Sequence, residues 1–367
     1  MFTSQNKITK HSYFMKLALK QAERNLGKTS ENPSVGCVIT KNNNVISVGN
    51  TSVQGRPHAE YNAIKNSKIN LKNSKMYVTL EPCSHYGKTE PCTKLIVKKK
   101  IKNIFISIKD SDLRSKGKSL SFFKKNGLKV TNRVYSKNVN IFYRSYIKSK
   151  NNLLPFVTCK LAVSKDFFTK NKKKKWITNK YSRGRVHLMR QQHDCIITSS
   201  TTIQKDNSRL TCRINGLYNK SPARIILDRS LKISLKSNII IQANRYQTII
   251  FYNKINRQKL KKLKSLNVKL FKINIDLEGN LNLYDALIKV KELGFYRIFL
   301  ESGIKLVSSF LNKDLIDDLN IFVSNKKLGI YGANNFKKQF VFFSKNKRCI
   351  KEKVNLFGEK LIKYNIK

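Results

Sequence analysis

Two short stretches, PHAEYNAI at 57–64 and TLEPCSHYGKTEPC at 79–92, group metal-binding side chains in a chain of 367 residues that has only five histidines and seven cysteines. A hydrolytic zinc site uses three protein ligands, commonly His and Cys, and leaves one position for water. His58, Cys83 and Cys92 supply such a set. Because the three ligand atoms must meet at one ion, the chain needs a fold that brings these two stretches together.

Glu60 lies two residues after His58. A carboxylate at this place can carry a proton between an attacking water and a leaving group without binding the metal. We expect His58 and Glu60 in the first turn of one helix. Pro82 is predicted to open a second helical turn, whose backbone N–H groups would face the Cys83 thiolate.

Taken one at a time, these residues also fit ordinary roles, since buried thiols and a histidine at the start of a helix are common. In combination, H-x-E followed by P-C is the pattern of zinc deaminases that act on nucleobases. The spacing between the cysteines is C-x8-C here, whereas deaminases that act on nucleic acid have C-x2-C. The pattern therefore predicts a zinc deaminase and disfavours a nucleic-acid substrate.

The length predicts two domains, 1–150 and 151–367, divided at the polar stretch YRSYIKSKNNLLP. In the first domain, helical spacing predicts a helix over 13–26 that ends at Gly27. CVITKNNNVISVG predicts a hairpin with its turn at KNNN. Helix-like and strand-like segments then alternate, which indicates an α/β sheet with helices on its faces.

The second domain continues this alternation. The predicted strands are FVTCKLAV, DCIITSS, ARIILD, QTIIFYN, YRIFLE and LNIFVS, and the predicted helices lie around 180–192, 283–293 and 304–312. KNKKKK at 170–175 is predicted to be a surface loop. No G-x-G-x-x-G occurs, so a Rossmann site is not expected. The turn after YRIFLE offers another cradle for a cofactor phosphate, because Gly303 permits close approach before a helix begins.

The formal net charge is +54, from 75 Lys+Arg against 21 Asp+Glu. The lysines are spread through every segment, which favours a solvated surface over a dedicated nucleic-acid groove. The sequence shows neither a signal peptide nor an apolar run long enough to span a membrane. The odd number of cysteines is typical of free thiols, so we expect a cytoplasmic protein.

The motifs NPSVGCVI, GRPHAE and TLEPCSHYGKTEPC resemble the deaminase half of the bifunctional riboflavin-biosynthesis deaminase/reductase family, and the resemblance extends over nearly the whole chain. It implies an α/β, cytidine-deaminase-like three-layer domain that hydrolytically deaminates 2,5-diamino-6-ribosylamino-4(3H)-pyrimidinone 5′-phosphate. It makes His58, Cys83 and Cys92 the ligands of one Zn2+ per chain and Glu60 the catalytic proton shuttle. It also implies three substrate contacts: Asn32, His85 and Lys88.

CKLAVSKD, WITN, RQQHDCIITSSTTIQKDNSRLTCR, ARIILD and LESG occur in the order of the reductase half of the same family. The resemblance implies a dihydrofolate-reductase-like α/β domain in which NADPH reduces the ribosyl group to ribityl. The implied cofactor contacts are Ala162, Trp176, Thr202, Asp206, Gly303, Ile304, Lys305, Leu306, Val307, Ser308 and Ser309. The implied substrate contacts are Lys160, Arg190, Leu210, Arg213 and Glu301.

The roles of these substrate contacts are chemically reasonable, because Arg190 and Arg213 suit a phosphate and Glu301 suits ribose hydroxyls. A core role for Trp176 is the alternative to cofactor stacking. The resemblance also implies a homo-oligomer that acts on a small phosphorylated pyrimidine, with no nucleic-acid or membrane partner.

The segment KDFFTKNKKKKW departs from the family pattern. Phe167 stands where the family has glycine, and this replacement removes a backbone conformation that phenylalanine adopts only with strain. Lysines replace the usual substrate-binding serine, and Lys172–Lys175 could form a substitute phosphate clamp. Asn-Ser also replaces Asp-Pro in TIQKDNSRL. The alternatives left open are a deaminase with a decayed reductase domain, a tRNA or other nucleic-acid base deaminase, and a non-catalytic module stabilised by a metal.

Overall fold

The computed structural model describes residues 9–87, 89–345, 347 and 349–367. The chain divides into two compact units after Asn152. Within the described ranges, no helix is both long enough and apolar enough to cross a membrane.

The first unit is built on a five-stranded sheet with the order β2-β1-β3-β4-β5. β1 pairs antiparallel with β2 and β3, whereas β3, β4 and β5 are parallel. Its elements are α1 (Lys10–Glu23), β1 (Gly36–Lys41), β2 (Asn44–Asn50), α2 (Ala59–Lys65), β3 (Lys75–Leu80), α3 (Cys92–Lys98), β4 (Asn103–Ile108), α4 (Lys118–Lys125), β5 (Lys129–Thr131) and α5 (Ser136–Asn151).

Both faces of this sheet are covered. Successive strand residues point to opposite faces, and accordingly Cys37 and Ile39 lie in one apolar cluster while Val38 lies in another. The first cluster includes residues of α2 and α3, and the second is an aromatic group that includes residues of α1. The predicted three-layer α/β domain is therefore confirmed.

The hairpin was predicted correctly, and its turn residues Asn42 and Asn43 both have positive φ. The first helix ends at Glu23 rather than at 26, because Asn25 turns away and donates to the carbonyl oxygen of Thr51. The stretch YRSYIKSKNN, in which the domain boundary was predicted, is mostly helical. These residues form the end of α5, and the hydroxyl of its buried Tyr143 bonds Thr79 and the Ser34 carbonyl.

Gly49 lets α2, the helix that follows His58, approach β2 closely. A Cβ at this position would collide with the carbonyl oxygen of Ala59 and the backbone nitrogen of Ala63. We expect Gly49→Ala to lower the free energy of unfolding by about 3 kcal/mol through overpacking and to reduce the bound zinc. Urea unfolding and metal analysis measure both effects. Gly184→Ala is the control, since its Cβ meets nothing within 4 Å and should stabilise the helix by up to about 1 kcal/mol.

The second unit contains a nine-stranded sheet with the order β11-β10-β9-β8-β12-β6-β13-β16-β15 and a small sheet of β14 and β7. The seven strands from β11 to β13 in this order are parallel, and β16 and β15 extend the sheet in antiparallel fashion. Its strands are β6 (Phe156–Val163), β7 (Phe168–Asn171), β8 (Cys195–Ser199), β9 (Ala223–Leu227), β10 (Thr248–Tyr252), β11 (Val268–Lys272), β12 (Arg297–Leu300), β13 (Asp318–Val323), β14 (Gly332–Asn335), β15 (Cys349–Lys351) and β16 (Lys360–Asn365). Its helices are α6 (Lys180–Gln191), α7 (Ser200–Asp206), α8 (Asn238–Ile241), α9 (Arg257–Ser265), α10 (Leu283–Glu292), α11 (Ile304–Asn312) and α12 (Lys337–Ser344).

The six strands and three helices predicted for the second unit are present. The central strands are apolar on both faces, as expected for a parallel sheet between helices. In β12, for example, Ile298 and Leu300 contribute to one apolar cluster and Phe299 to the other. The lysine-rich segment at 170–175 is a loop only in part, because Lys170 and Asn171 belong to β7 and pair with β14.

Phe167 has φ +66, so it keeps the left-handed conformation that the loss of glycine was expected to remove. Its ring packs against the core and lies 5.0 Å from the ring of Phe340. We expect Phe167→Ala to lose this packing and to destabilise the protein by about 3 kcal/mol. Phe167→Gly should be more stable than Phe167→Ala by about 1 kcal/mol, since only glycine adopts this φ without strain. Denaturant unfolding of both variants tests this order of stability. An alanine variant at least as stable as the glycine variant would contradict it.

Candidate functional sites

The His58, Cys83 and Cys92 side chains converge in the first unit. His58 is the residue before α2, Cys83 follows β3, and Cys92 is the first residue of α3. The His58 Nδ1 lies 3.6 Å from the Sγ atoms of both Cys83 and Cys92. Zn–S and Zn–N bonds of ordinary length in a tetrahedron place S and N about 3.6 Å apart. The three ligand atoms all lie within 4.8 Å of one another, so this set fits one zinc ion.

The second cysteine, not the first, stands at a helix start. The expectation that Pro82 opens a helical turn was wrong, because the residues after it form the long loop between the two cysteines. Pro91 instead precedes α3. The backbone N–H of Cys92 still donates to the Cys83 Sγ at 3.3 Å. The thiolate therefore receives the predicted type of hydrogen bond from a different helix.

The electrostatics of the cluster favour proton transfer and metal binding. A hydrogen bond from the Cys92 thiol lowers the pKa of Cys83 to about 4, with a further contribution from His58. Glu60 is 3% exposed, and its burial raises the pKa of its carboxyl to about 7. The nearby His58 opposes this rise. A carboxyl that titrates near neutral pH can both accept and return a proton.

Two of the predicted substrate contacts of this unit, Asn32 and His85, lie outside its helices and strands. Asn32 donates through Nδ2 to the carbonyl of Gly55, in the segment that leads to His58. The His85 Nδ1 lies 3.0 Å from the Ser115 hydroxyl. Lys88 lies outside the described residues. The roles of all three in binding substrate stay predictions.

Glu81 is a structural residue of the site that sequence reasoning did not identify. Its buried carboxylate accepts hydrogen bonds from the backbone N–H groups of Asp110, Gly117 and Ser119 and from the Ser119 hydroxyl at 2.7 Å. These bonds fix the segment that carries Ser115, the partner of His85. Its position directly before Pro82 and Cys83 was the one available signal.

A charged cluster lies in the second unit where the carboxyl end of β12 adjoins the middle of β6. The register pairs Leu300 with Cys159, so the next residues along the strands, Glu301 and Lys160, are neighbours. The Glu301 carboxylate forms a bidentate pair with Arg190, at 2.9 Å for both contacts. The Lys160 Nζ lies 3.9 Å from it. Burial alone would raise the pKa of Glu301, but the charges of Arg190 and Lys160 lower it to about 2.

All three guanidinium nitrogens of Arg190 have protein partners. Besides the pair with Glu301, Nη1 donates to the Thr211 carbonyl at 2.9 Å. The geometry therefore favours a role for Arg190 in holding Glu301 over the direct phosphate contact inferred from sequence. Near Thr211 lies His187, a residue that the sequence did not indicate, and burial with the charges of Arg190 and Arg213 lowers its pKa to about 4.

Hydroxyl groups join the carboxyl ends of the neighbouring strands β8 and β12. The Thr202 hydroxyl lies 3.0 Å from the Ser302 hydroxyl and accepts the backbone N–H of Gly303 at 3.1 Å. Gly303 precedes α11, whose first turn begins at Ile304. This is the cradle predicted for a cofactor phosphate. Val307, also predicted to contact the cofactor, is fully buried in the core, so its side chain is not available to a ligand.

The other predicted contacts of this unit are more dispersed. A core role for Trp176 was wrong, since it is 55% exposed and carries the Arg183 guanidinium 4.9 Å from its ring. Burial raises the pKa of Asp206, while Lys175 and Lys170 oppose this rise from nearby. The lysine-rich segment therefore approaches a predicted cofactor contact. Further predicted contacts are the partly buried Ala162 in β6, the buried Leu210 and the exposed Arg213.

Comparisons with known proteins cover both units. The family described as "Cytidine and deoxycytidylate deaminase zinc-binding region" matches residues 8–108, and "RibD C-terminal domain" matches residues 155–362. The riboflavin biosynthesis protein RibD of Bacillus amyloliquefaciens is 30% identical over 86% of this chain and 85% of its own. The protein of that name from Buchnera aphidicola subsp. Baizongia pistaciae is 34% identical over 89% and 90%.

Solved structures give the same result. A diaminohydroxyphosphoribosylaminopyrimidine deaminase/5-amino-6-(5-phosphoribosylamino)uracil reductase of Thermotoga maritima has a TM-score of 0.82 and 29% identity, over 97% of this chain and 98% of that one. Acinetobacter baumannii RibD has a TM-score of 0.82 and 26% identity, over 98% and 99%.

These matches define a two-domain enzyme in which a zinc-binding deaminase domain precedes a reductase domain. The order of the domains agrees with the order of the two sites along the chain. The chain belongs to the RibD family and is a bifunctional deaminase and reductase of riboflavin biosynthesis. Neither a nucleic-acid base deaminase nor a deaminase without a reductase is favoured by these relatives.

Proposed function

We propose that residues 1–150 deaminate the diaminopyrimidinone ribosylamino 5′-phosphate and that residues 151–367 then reduce its ribosyl group to ribityl with NADPH. The observation that carries the proposal is the 3.6 Å spacing of His58 Nδ1 from the two cysteine Sγ atoms, beside a buried glutamate. The cluster around Glu301 supports the second reaction, because it lies beside the phosphate cradle formed after β12.

In the first reaction, His58, Cys83 and Cys92 would hold a zinc ion, which supplies a water activated for attack. Glu60 accepts a proton from that water and returns it to the leaving amine, so the amine departs as ammonia and its carbon becomes a carbonyl. The burial of Glu60 suits this role, since its carboxyl exchanges a proton near neutral pH. His85 and Asn32 orient the pyrimidine from the adjoining loops.

In the second reaction, NADPH supplies a hydride when bound. Glu301, kept ionised by its two cationic neighbours, accepts hydrogen bonds from ribose hydroxyls. Arg190 and Lys160 fix the position of this carboxylate. The exposed Arg213 is the better candidate for the substrate phosphate. Thr202 and the first turn of α11 bind a cofactor phosphate through hydroxyl and backbone N–H donors.

One experiment measures both the deamination and the reduction. Purified protein is given the phosphorylated diaminopyrimidinone and NADPH, and ammonia release and NADPH absorbance are followed separately before and after zinc removal. We expect both signals, with ammonia release lost on zinc removal and restored by added zinc. When the deaminated intermediate is supplied directly, NADPH oxidation should survive zinc removal. Ammonia release without NADPH oxidation would refute the proposed reductase step. Absence of both signals would refute the proposal that this pyrimidine is the substrate.

We further propose a cytoplasmic homo-oligomer that acts on a small phosphorylated pyrimidine and has no nucleic-acid or membrane partner. Cysteines such as the buried Cys37, Cys159 and Cys195 form no disulfide among the described residues, which supports a reducing compartment. The lysines are dispersed over both units, which supports a solvated surface over a groove for nucleic acid.

A further inference from the structure

A cationic pocket in the second unit is formed by the segment after α7, by Tyr218 and by residues that follow α8. Its volume is about 250 Å³. Of the predicted contacts with substrate or cofactor, only Arg213 lines it. Two further arginines, Arg209 and Arg245, belong to the pocket and to neither proposed reaction.

The positive charge of this pocket is not neutralised by the protein. None of the described residues that line it carries a carboxylate. Among the described residues, neither Arg209 nor Arg245 forms an ion pair. Arg209 is also close enough to Arg213 for its charge to lower the pKa of that guanidinium, after the larger effects of burial and of Arg190. An anion in the pocket would replace this repulsion with attraction.

The size and aromatic contacts of the pocket restrict what that anion can be. The volume is below the roughly 300–1,000 Å³ of sites for drug-sized ligands. The Tyr246 ring already lies 5.3 Å from the Arg224 guanidinium and 5.4 Å from that of Arg245, so it is engaged by cations. Stacking of a nucleobase is therefore disfavoured. Guanidinium groups bind phosphate oxygens through paired, charge-assisted hydrogen bonds.

Polar groups of Thr211, Tyr218 and Gln242 also line the pocket. Hydroxyl and amide groups of this kind form hydrogen bonds with the hydroxyl groups of a sugar. We propose that this pocket binds the phosphoryl group of a phosphorylated sugar, with Arg209 and Arg245 as its phosphate contacts beside Arg213.

The direct test is a calorimetric titration of the full-length protein with inorganic phosphate at constant ionic strength. The pocket variant is Arg209→Gln with Arg245→Gln. The matched control is Arg257→Gln with Lys262→Gln, which removes two exposed charges from α9. We expect about tenfold weaker binding in the pocket variant and unchanged binding in the control. Equal binding in the wild type and the pocket variant, or an equal loss in both variants, would overturn the proposal. Because both arginines are exposed, the thermal midpoint should not change.

The source of the phosphoryl group is distinguished by reductase kinetics. If the pocket receives the 5′-phosphate of the reductase substrate, the pocket variant will have a raised KM for that substrate with kcat unchanged. If it receives a separate phosphorylated sugar, KM will be unchanged although phosphate binding is lost. Both results support the pocket as a phosphoryl site. The phosphate titration needs no turnover, so failure of the proposed reduction would leave this inference standing.

Discussion

Glu60→Gln is expected to reduce ammonia release by a factor of about 10²–10⁴, the usual contribution of a positioned general acid–base group. The amide has nearly the same shape as the carboxylate but cannot accept the proton of the attacking water. Zinc content should stay at that of the wild type, because His58, Cys83 and Cys92 supply the ligand atoms. NADPH oxidation with the deaminated intermediate should also be unchanged, because that reaction is assigned to the other unit.

The measurement separates chemistry from metal binding and from folding. Ammonia release, zinc content and the thermal midpoint are compared for Glu60→Gln and for Glu23→Gln, a control that neutralises a carboxylate on the surface of α1. Loss of zinc in Glu60→Gln would show that the carboxylate supports the metal site rather than proton transfer. Near-normal ammonia release with zinc retained would refute the role of Glu60 as proton shuttle.

The zinc site could be predicted because its ligands and its proton shuttle lie in short sequence motifs. His58 and Glu60 are separated by one residue, and both cysteines follow prolines. The local structure of the loop was harder to predict, since Pro82 and Pro91 are equally able to begin a helix and only Pro91 does so. The hydrogen bonds of Glu81 could not be predicted at all, because its partners lie 29 to 38 residues further along the chain.

The same limit applies to the reductase unit. Arg190 and Glu301 were both identified, but as separate contacts for phosphate and ribose. Their pairing depends on where α6, which carries Arg190, packs relative to the end of β12, and a separation of 111 residues along the chain does not show this. The positive φ of Phe167 could not be predicted either. The loss of glycine suggested that this conformation would be given up, but the ring of Phe167 packs against the core and the conformation is kept.

Glu301→Gln is expected to lower the free energy of unfolding by about 3–5 kcal/mol, the cost of breaking a buried ion pair by removing one partner. The substitution leaves Arg190 and Lys160 without the carboxylate that both contact. It should also abolish NADPH oxidation while ammonia release continues. The loss of stability is measured by urea unfolding at pH 7, and the two activities are measured separately.

The pH dependence of stability tests whether the effect comes from the charge of Glu301. In the wild type the pKa of Glu301 is lowered from its ordinary value of 4.5 to about 2 by the charges of Arg190 and Lys160, which outweigh the effect of burial. Its stabilising contribution is therefore present above pH 4.5 and is lost as the pH falls through 2. The difference in stability between the wild type and Glu301→Gln should accordingly be constant from pH 7 to pH 5 and shrink below pH 4.5. If the difference persists unchanged at pH 2, the loss of stability comes from the changed shape of the side chain at 301 and not from the loss of its charge. In Arg190→Met with Glu301→Leu, much of the stability should return without NADPH oxidation, since an apolar pair of similar volume leaves no unpaired guanidinium and only Lys160 loses its partner.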